Sequence, residues 1–153
     1  MHHLTLLLTL LSSLLLIPLS LAQDQCLGNK ADAGYCTPLT YVDTTLSAKS
    51  APTTTDCEDT CHGVNSDAGD WLVDFGYEGN GGLHPMLAWP CAFALQPGNS
   101  SFNNASFDMA NQDILDLYDE SINRFGPLHD GKISAEGTMM CQGVLARWFI
   151  KSQ

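Results

Sequence analysis

The stretch ANQDILDLYDESINRFGPLHDGKISAEGTMMCQGVLARWFIK, from Ala110 to Lys151, decides the fold. Ile114, Leu117, Tyr118, Ile122 and Phe125 recur at the i, i+3, i+4 spacing of one helical face. Asp113, Asp116, Asp119, Glu120, Asn123 and Arg124 then make a solvated opposite face. Gly126-Pro127 stops the helix, glycine taking a left-handed cap and proline being unable to continue the hydrogen-bond ladder. After the turn pair Asp130-Gly131, the run Lys132–Cys141 alternates, with Ile133, Ala135, Met139 and Cys141 on one side. Gln142-Gly143 turns the chain again, and Val144, Ala146, Trp148 and Ile150 alternate along a closing strand. A helix packed on a hairpin is the core of one small domain.

Upstream, Trp89–Leu95 and Trp71–Phe75 read as strands, so Trp71, Trp89 and Trp148 are core residues rather than binding platforms. Asp56 is placed to N-cap a short helix through Val64, with Glu58 and Asp59 near its positive end. Tyr41-Val42 is a short strand, and Leu46–Thr55 reads as a surface linker. Gly76–Gly82 holds four glycines and predicts a mobile loop. Leu83, His84, Met86 and Leu87 follow it around Pro85. They form a candidate contact loop, weighed against the plainer reading that Met86 and Leu87 tuck under the sheet. Asn99-Ser100-Ser101 and Asn104-Ala105-Ser106 are two acceptor sequons, placing Asn99 and Asn104 on a surface loop as glycosylation candidates.

At the start, Leu4–Leu21 is mostly apolar, broken by Pro18, and Ser20-Leu21-Ala22 fits a small-x-small cleavage site. This predicts a secretory signal peptide over residues 1–22, although His2-His3 stands where lysine or arginine is usual. The run is short for a membrane span and lacks charged stop-transfer flanks. A secreted, extracellular, soluble chain follows, with an N-terminal extension at 23–35 and one domain at 36–151.

Six Lys and Arg against 17 Asp and Glu give a formal charge of −11. Such a surface repels a phosphate backbone and an anionic membrane, which excludes nucleic acid as a partner and argues against membrane insertion. Cys26, Cys36, Cys57, Cys61, Cys91 and Cys141 all follow the leader, and an even count in a small secreted domain predicts three disulfides. Cys57, Cys61 and His62 lack the second closely spaced pair that a zinc site needs. Cys91 and Cys141 both lie in strand-like runs, so neighbouring strands would bridge them, closing a loop worth roughly 4 kcal/mol.

Catalytic machinery is sparse. There is no Gly-x-Ser-x-Gly elbow, and His62, His84 and His129 sit in turn-like contexts as solvated residues without partners. The helix carboxylates are its wet face rather than a glycosidase pair, no Gly-rich phosphate loop follows a strand, and oxidised cysteines are not nucleophiles. A non-enzymatic monomer without metal or cofactor is the expectation.

The blocks Asn111–Ile114, Ser121–Phe125 and Gly131–Cys141, with Asp56-Cys57 and Cys91-Ala92-Phe93 before them in the same order, resemble a fungal secreted family. It is the family of necrosis-inducing factors founded by extracellular protein two, and the likeness spans roughly Cys36 to Ile150. It implies a secreted virulence effector acting on a plant host or on competing microbes, with no catalytic residues to carry over. The family has counterparts of Cys36, Cys57, Cys91 and Cys141, which implies Cys36–Cys57 as one bridge and Cys26–Cys61 as an additional one. It also implies kinship with small α/β-sandwich killer toxins, though this chain is acidic where many membrane-active toxins are basic. The expected fold is an α+β, disulfide-stapled two-layer sandwich, about four antiparallel strands with two helices on one face. A small secreted hydrolase or hydrolase inhibitor is the alternative.

Overall fold

The computed structural model describes residues 24–67, 69–77, 82–88 and 90–153. Along the chain come β1 (Cys36–Asp43), α1 (Thr54–Ser66), β2 (Trp71–Asp74), β3 (His84–Leu87), β4 (Ala92–Pro97), β5 (Ser106–Met109), α2 (Asn111–Phe125), β6 (Ala135–Cys141) and β7 (Val144–Lys151). Five strands form an antiparallel sheet in the order β1-β6-β7-β4-β3, while β2 and β5 pair separately. The α+β class and two helices stand, but four strands is too few. The short strand expected at Tyr41-Val42 lies within β1, whose remaining residues hide in the sequence because only Cys36 and Tyr41 of the eight are half-buried, leaving almost no apolar alternation. The Trp71 strand lies outside the main sheet, paired with β5. Trp89, the expected leader and the centre of the Gly76–Gly82 loop lie outside the described residues.

The closing hairpin forms as its alternation requires. Gln142 and Gly143 both take positive φ, 50° and 87°, a two-residue turn whose twist matches that of the flanking strands. Ala135, Met139, Ala146, Trp148 and Ile150 are buried on its inner face. Gly137 is small for a reason: a Cβ there would stand 1.9 Å from the Thr40 carbonyl and 2.6 Å from the Trp148 ring. Trp148 therefore lies across β6 and meets Tyr41 edge-on, centroids 5.1 Å apart, and Arg124 of α2 covers the Tyr41 ring at 4.5 Å. Burial chiefly, with Glu120 nearby, pushes the Tyr41 phenol up to about 12.

The helices sit over this inner face and converge on Cys91. Tyr118 of α2 packs on Phe93 of β4 and donates its hydroxyl to the Cys91 carbonyl at 2.7 Å. Thr60 of α1 accepts from the Cys91 N–H at 3.1 Å. Cys57, one helical turn before Cys61, closes a disulfide with Cys91. The other bridges are Cys36–Cys141 and Cys26–Cys61. The pairings Cys91–Cys141 and Cys36–Cys57 are thus corrected. Cys36 stands directly opposite Cys141 once β1 is recognised as a strand, and Cys91 faces α1 rather than β6.

Local details of the helices also differ from expectation. Thr53, not Asp56, caps α1; Asp56 is the third helical residue and returns a hydrogen bond to the Thr53 N–H, completing a capping box. Those bonds with Thr53 hold the Asp56 carboxyl below its usual value. Gly126 keeps right-handed geometry at φ −52°, and the chain runs on into a short 3-10 turn. A side chain at Gly126 would press on Thr54 at 2.9 Å, so contact rather than conformation asks for glycine.

The largest departure is on α2. Its second face is covered by residues 24–35, which cross it as a strap. Asp113 is buried and accepts three backbone N–H groups, those of Ala110 at 2.9 Å, Tyr35 at 2.9 Å and Cys36 at 3.1 Å. Gln112 bonds the Leu27 carbonyl. Gly28 and Gly34 leave room for Gln112 and Asp113. Lys30 reaches Asp116 and Asp119 at 2.6 and 2.9 Å, and Cys26–Cys61 pins the strap's beginning to α1.

Candidate functional site

The helix carboxylates do not converge on a cleft. Asp113 serves the strap, Asp116 and Asp119 hold Lys30, and Glu120 pairs with Arg124 one turn on at 2.5 Å. His62 lies on α1 and contacts Gln25. His84 is the first residue of β3 and is half-buried. His129 is not a solvated residue without a partner: its Nε2 bonds Asp43 Oδ2 at 2.6 Å, with 13% of its side chain exposed. Desolvation pushes the Asp43 carboxyl up, but the bonds to His129 and to the Thr45 N–H together outweigh it and hold it below its usual value.

The candidate contact loop is an edge strand. Leu83 precedes β3, whose His84 and Pro85 pair with Leu95 and Ala94 of β4. Met86 and Leu87 are half-buried and pack against the core, so the plainer reading of those two side chains describes their place. Pro85 is exposed at the sheet edge, where its missing donor does no harm. A shallow apolar hollow of about 250 Å³ lies beside it, bounded by Leu83, Leu87, Ala94 and Lys151. On the sheet's outer surface, Arg147 and Lys151 flank the Phe149 ring at 5.0 and 5.8 Å.

Both sequon asparagines are exposed. Asn99 caps a short 3-10 turn by accepting from the Ser101 N–H at 2.9 Å.

A feature the sequence did not announce is a cleft of about 550 Å³ between Thr45–Ala51 and Leu128–Lys132. Lys49, His129 and Lys132 line it together although 80 residues separate them, and no periodicity joins them. The one available signal was the scarcity of cations, of which these lysines are two.

Among the described residues, no helix is long and apolar enough to cross a membrane, and no group of three or more His, Cys, Asp or Glu is placed to hold a metal ion. Fold and surface together define a small α+β domain stapled by three disulfides, its ionisable side chains largely spent on holding the chain together. Residues 35–141 match the family Hce2, described as "pathogen effector; putative necrosis-inducing factor". The chain belongs to that family. A search of curated proteins returns no match.

Proposed function

We propose that this chain is a secreted effector that acts by binding a component of a plant host or of a competing microbe, not by catalysis. The observation that carries the reading is the family match across residues 35–141. Three disulfides support an oxidising destination, as does the leader expected at residues 1–22, ahead of the extension at 23–35 and the domain at 36–151. The binding reading is supported by the many ionisable side chains engaged in internal bonds. The edge strand from Leu83 to Leu87 is the proposed contact surface, Asn99 and Asn104 carry glycans away from it, and the domain works as a monomer without cofactor. Kinship to killer toxins belongs to the same proposal, without membrane insertion. The hydrolase alternative keeps one foothold, the His129–Asp43 pair beside the 550 Å³ cleft.

The test is infiltration of the purified, disulfide-intact protein into leaf tissue beside a reduced and alkylated control. Lesions from the intact protein that persist in His129→Ala support a binding effector. Loss of lesions in a folded His129→Ala variant moves the reading to the hydrolase, and no response in any tissue or microbe overturns the effector reading.

A further inference from the structure

The cleft between Thr45–Ala51 and Leu128–Lys132 is open to solvent, and both of its walls are anchored to one stretch of chain. Thr44 donates its N–H to the Ser134 carbonyl at 2.9 Å, and Thr45 Oγ1 accepts from the Ser134 N–H at 3.0 Å. At the loop's other end the Pro52 carbonyl accepts from Ile133 at 2.9 Å, and Thr54 donates to Gly131 at 2.7 Å. The loop between these ties therefore arches over a space that its own side chains leave unfilled. At about 550 Å³ the space lies within the usual range for small-ligand sites.

Its charges are placed unlike those elsewhere. Lys30, Arg124 and Arg147 are each engaged by carboxylates, and Lys151 lies over Phe149. Lys49 and Lys132 make no ion pair or side-chain hydrogen bond among the described residues, and both line this cleft. Asp130 also lines it, held at positive φ in the turn before Lys132, and its carboxylate makes no hydrogen bond or ion pair among the described residues. Asp43 is taken up by His129 and the Thr45 N–H and so does not neutralise the lysines. Leu46 and Leu128, 89% and 69% exposed, supply apolar surface to the same cleft.

Two free ammonium groups ask for an anionic oxygen ligand, and a free carboxylate beside them asks for hydrogen-bond donors. A bare phosphate satisfies the first demand and is repelled by the second. A hydroxylated carboxylic acid satisfies both. We infer that this cleft binds a sugar acid, its carboxylate between Lys49 and Lys132, its hydroxyls donating to Asp130, and its C–H surface against Leu46 and Leu128. The inference rests on the reading of the domain as a binding protein and goes beyond it, adding a small-ligand site apart from the edge strand Leu83–Leu87.

The test is amide NMR titration of the intact, oxidised protein with glucuronate, and separately with acetate, glucose and inorganic phosphate. Glucuronate is expected to shift amides of 45–51 and 128–132 saturably, binding roughly tenfold or more tightly than each of the other three. The double variant K49Q/K132Q is expected to weaken glucuronate at least tenfold with the remaining amide spectrum unchanged, since both side chains are exposed. D130N is expected to weaken glucuronate while leaving acetate alone. Phosphate binding as tightly as glucuronate, shifts located elsewhere, or glucuronate binding intact in K49Q/K132Q would each overturn the proposal. Cleft binding without any tissue response sinks the effector reading alone, and a tissue response without cleft binding sinks this inference alone.

Discussion

The two faces of α2 are held by different physics. Toward the sheet, Ile114, Leu117 and Tyr118 are buried among aromatic and aliphatic neighbours, an arrangement driven by area removed from water. Toward the strap, the same helix offers Gln112, Asp113, Asp116 and Asp119, and what binds there is a chain of directed bonds to Leu27, Lys30, Tyr35 and Cys36. The first face is held by close packing whose driving force has no preferred direction, with the Tyr118–Cys91 bond as its one directed contact among the described residues. The second works only if each acceptor stands where the crossing backbone needs it, and Asp113 is its centre because one carboxylate ties three N–H groups from two segments. A helix can therefore be buried on both sides while looking amphipathic.

Substitution on the sheet side is expected to give the largest effect. Tyr118→Ala removes a fully buried ring from its contact with Phe93 and should cost about 4 kcal/mol, read as a lowered denaturant midpoint under oxidising conditions. Tyr118→Phe keeps the ring and loses only the bond to the Cys91 carbonyl, for roughly 1 kcal/mol. If the two variants were equally destabilised, hydrogen bonding rather than packing would dominate that face as well, and the contrast between faces would fail.

On the strap side, Asp113→Asn is the sharper probe because it keeps shape and volume. It turns an acceptor-only group into one whose amide donor must face backbone donors. Stranding one or more of those N–H groups should cost about 2 kcal/mol. Hydrogen exchange should report the change first at the Tyr35 and Cys36 amides, with the β6–β7 hairpin unaffected. Faster exchange in the hairpin instead would mean that the strap and the sheet open as one unit.

What could be read beforehand follows the same division. The period of α2 and the alternation of β6 and β7 were legible because the hydrophobic effect writes itself into residue type at fixed spacing. The Asp113 network was not, since an aspartate aimed at solvent and one aimed at a crossing backbone are the same letter. Of β1 only Tyr41-Val42 was legible, and its reach back to Cys36 was not, for a related reason: as an edge strand it buries little, and its pairing with β6 is recorded by backbone hydrogen bonds and by Cys36 opposite Cys141. The disulfide exchange followed from that one omission. At the cleft, the lysines meet only because the loop after β1 and the turn after α2 are tied to the same residues, a consequence of topology with no local signature.

Lys30 marks the weak end of the comparison. Its ammonium sits 2.6 Å from Asp116 and 2.9 Å from Asp119, but nearly half of the side chain is exposed, so solvent screens most of the attraction. Lys30→Ala is expected to cost less than about 1 kcal/mol, and less still in high salt. Partial desolvation works to lower the Lys30 pKa, but the two carboxylates outweigh it and the value is raised. A group whose folded pKa lies above its unfolded value contributes fully below the unfolded value and loses that contribution as pH rises through the folded one. The gap between wild type and Lys30→Ala should therefore be constant from pH 6 to about 9 and close above pH ~10.4, the unperturbed lysine value. Denaturant midpoints of the two proteins across that range decide it. A gap that persisted at high pH would mean that Lys30 holds the strap through its aliphatic stem packed on α2 rather than through its charge.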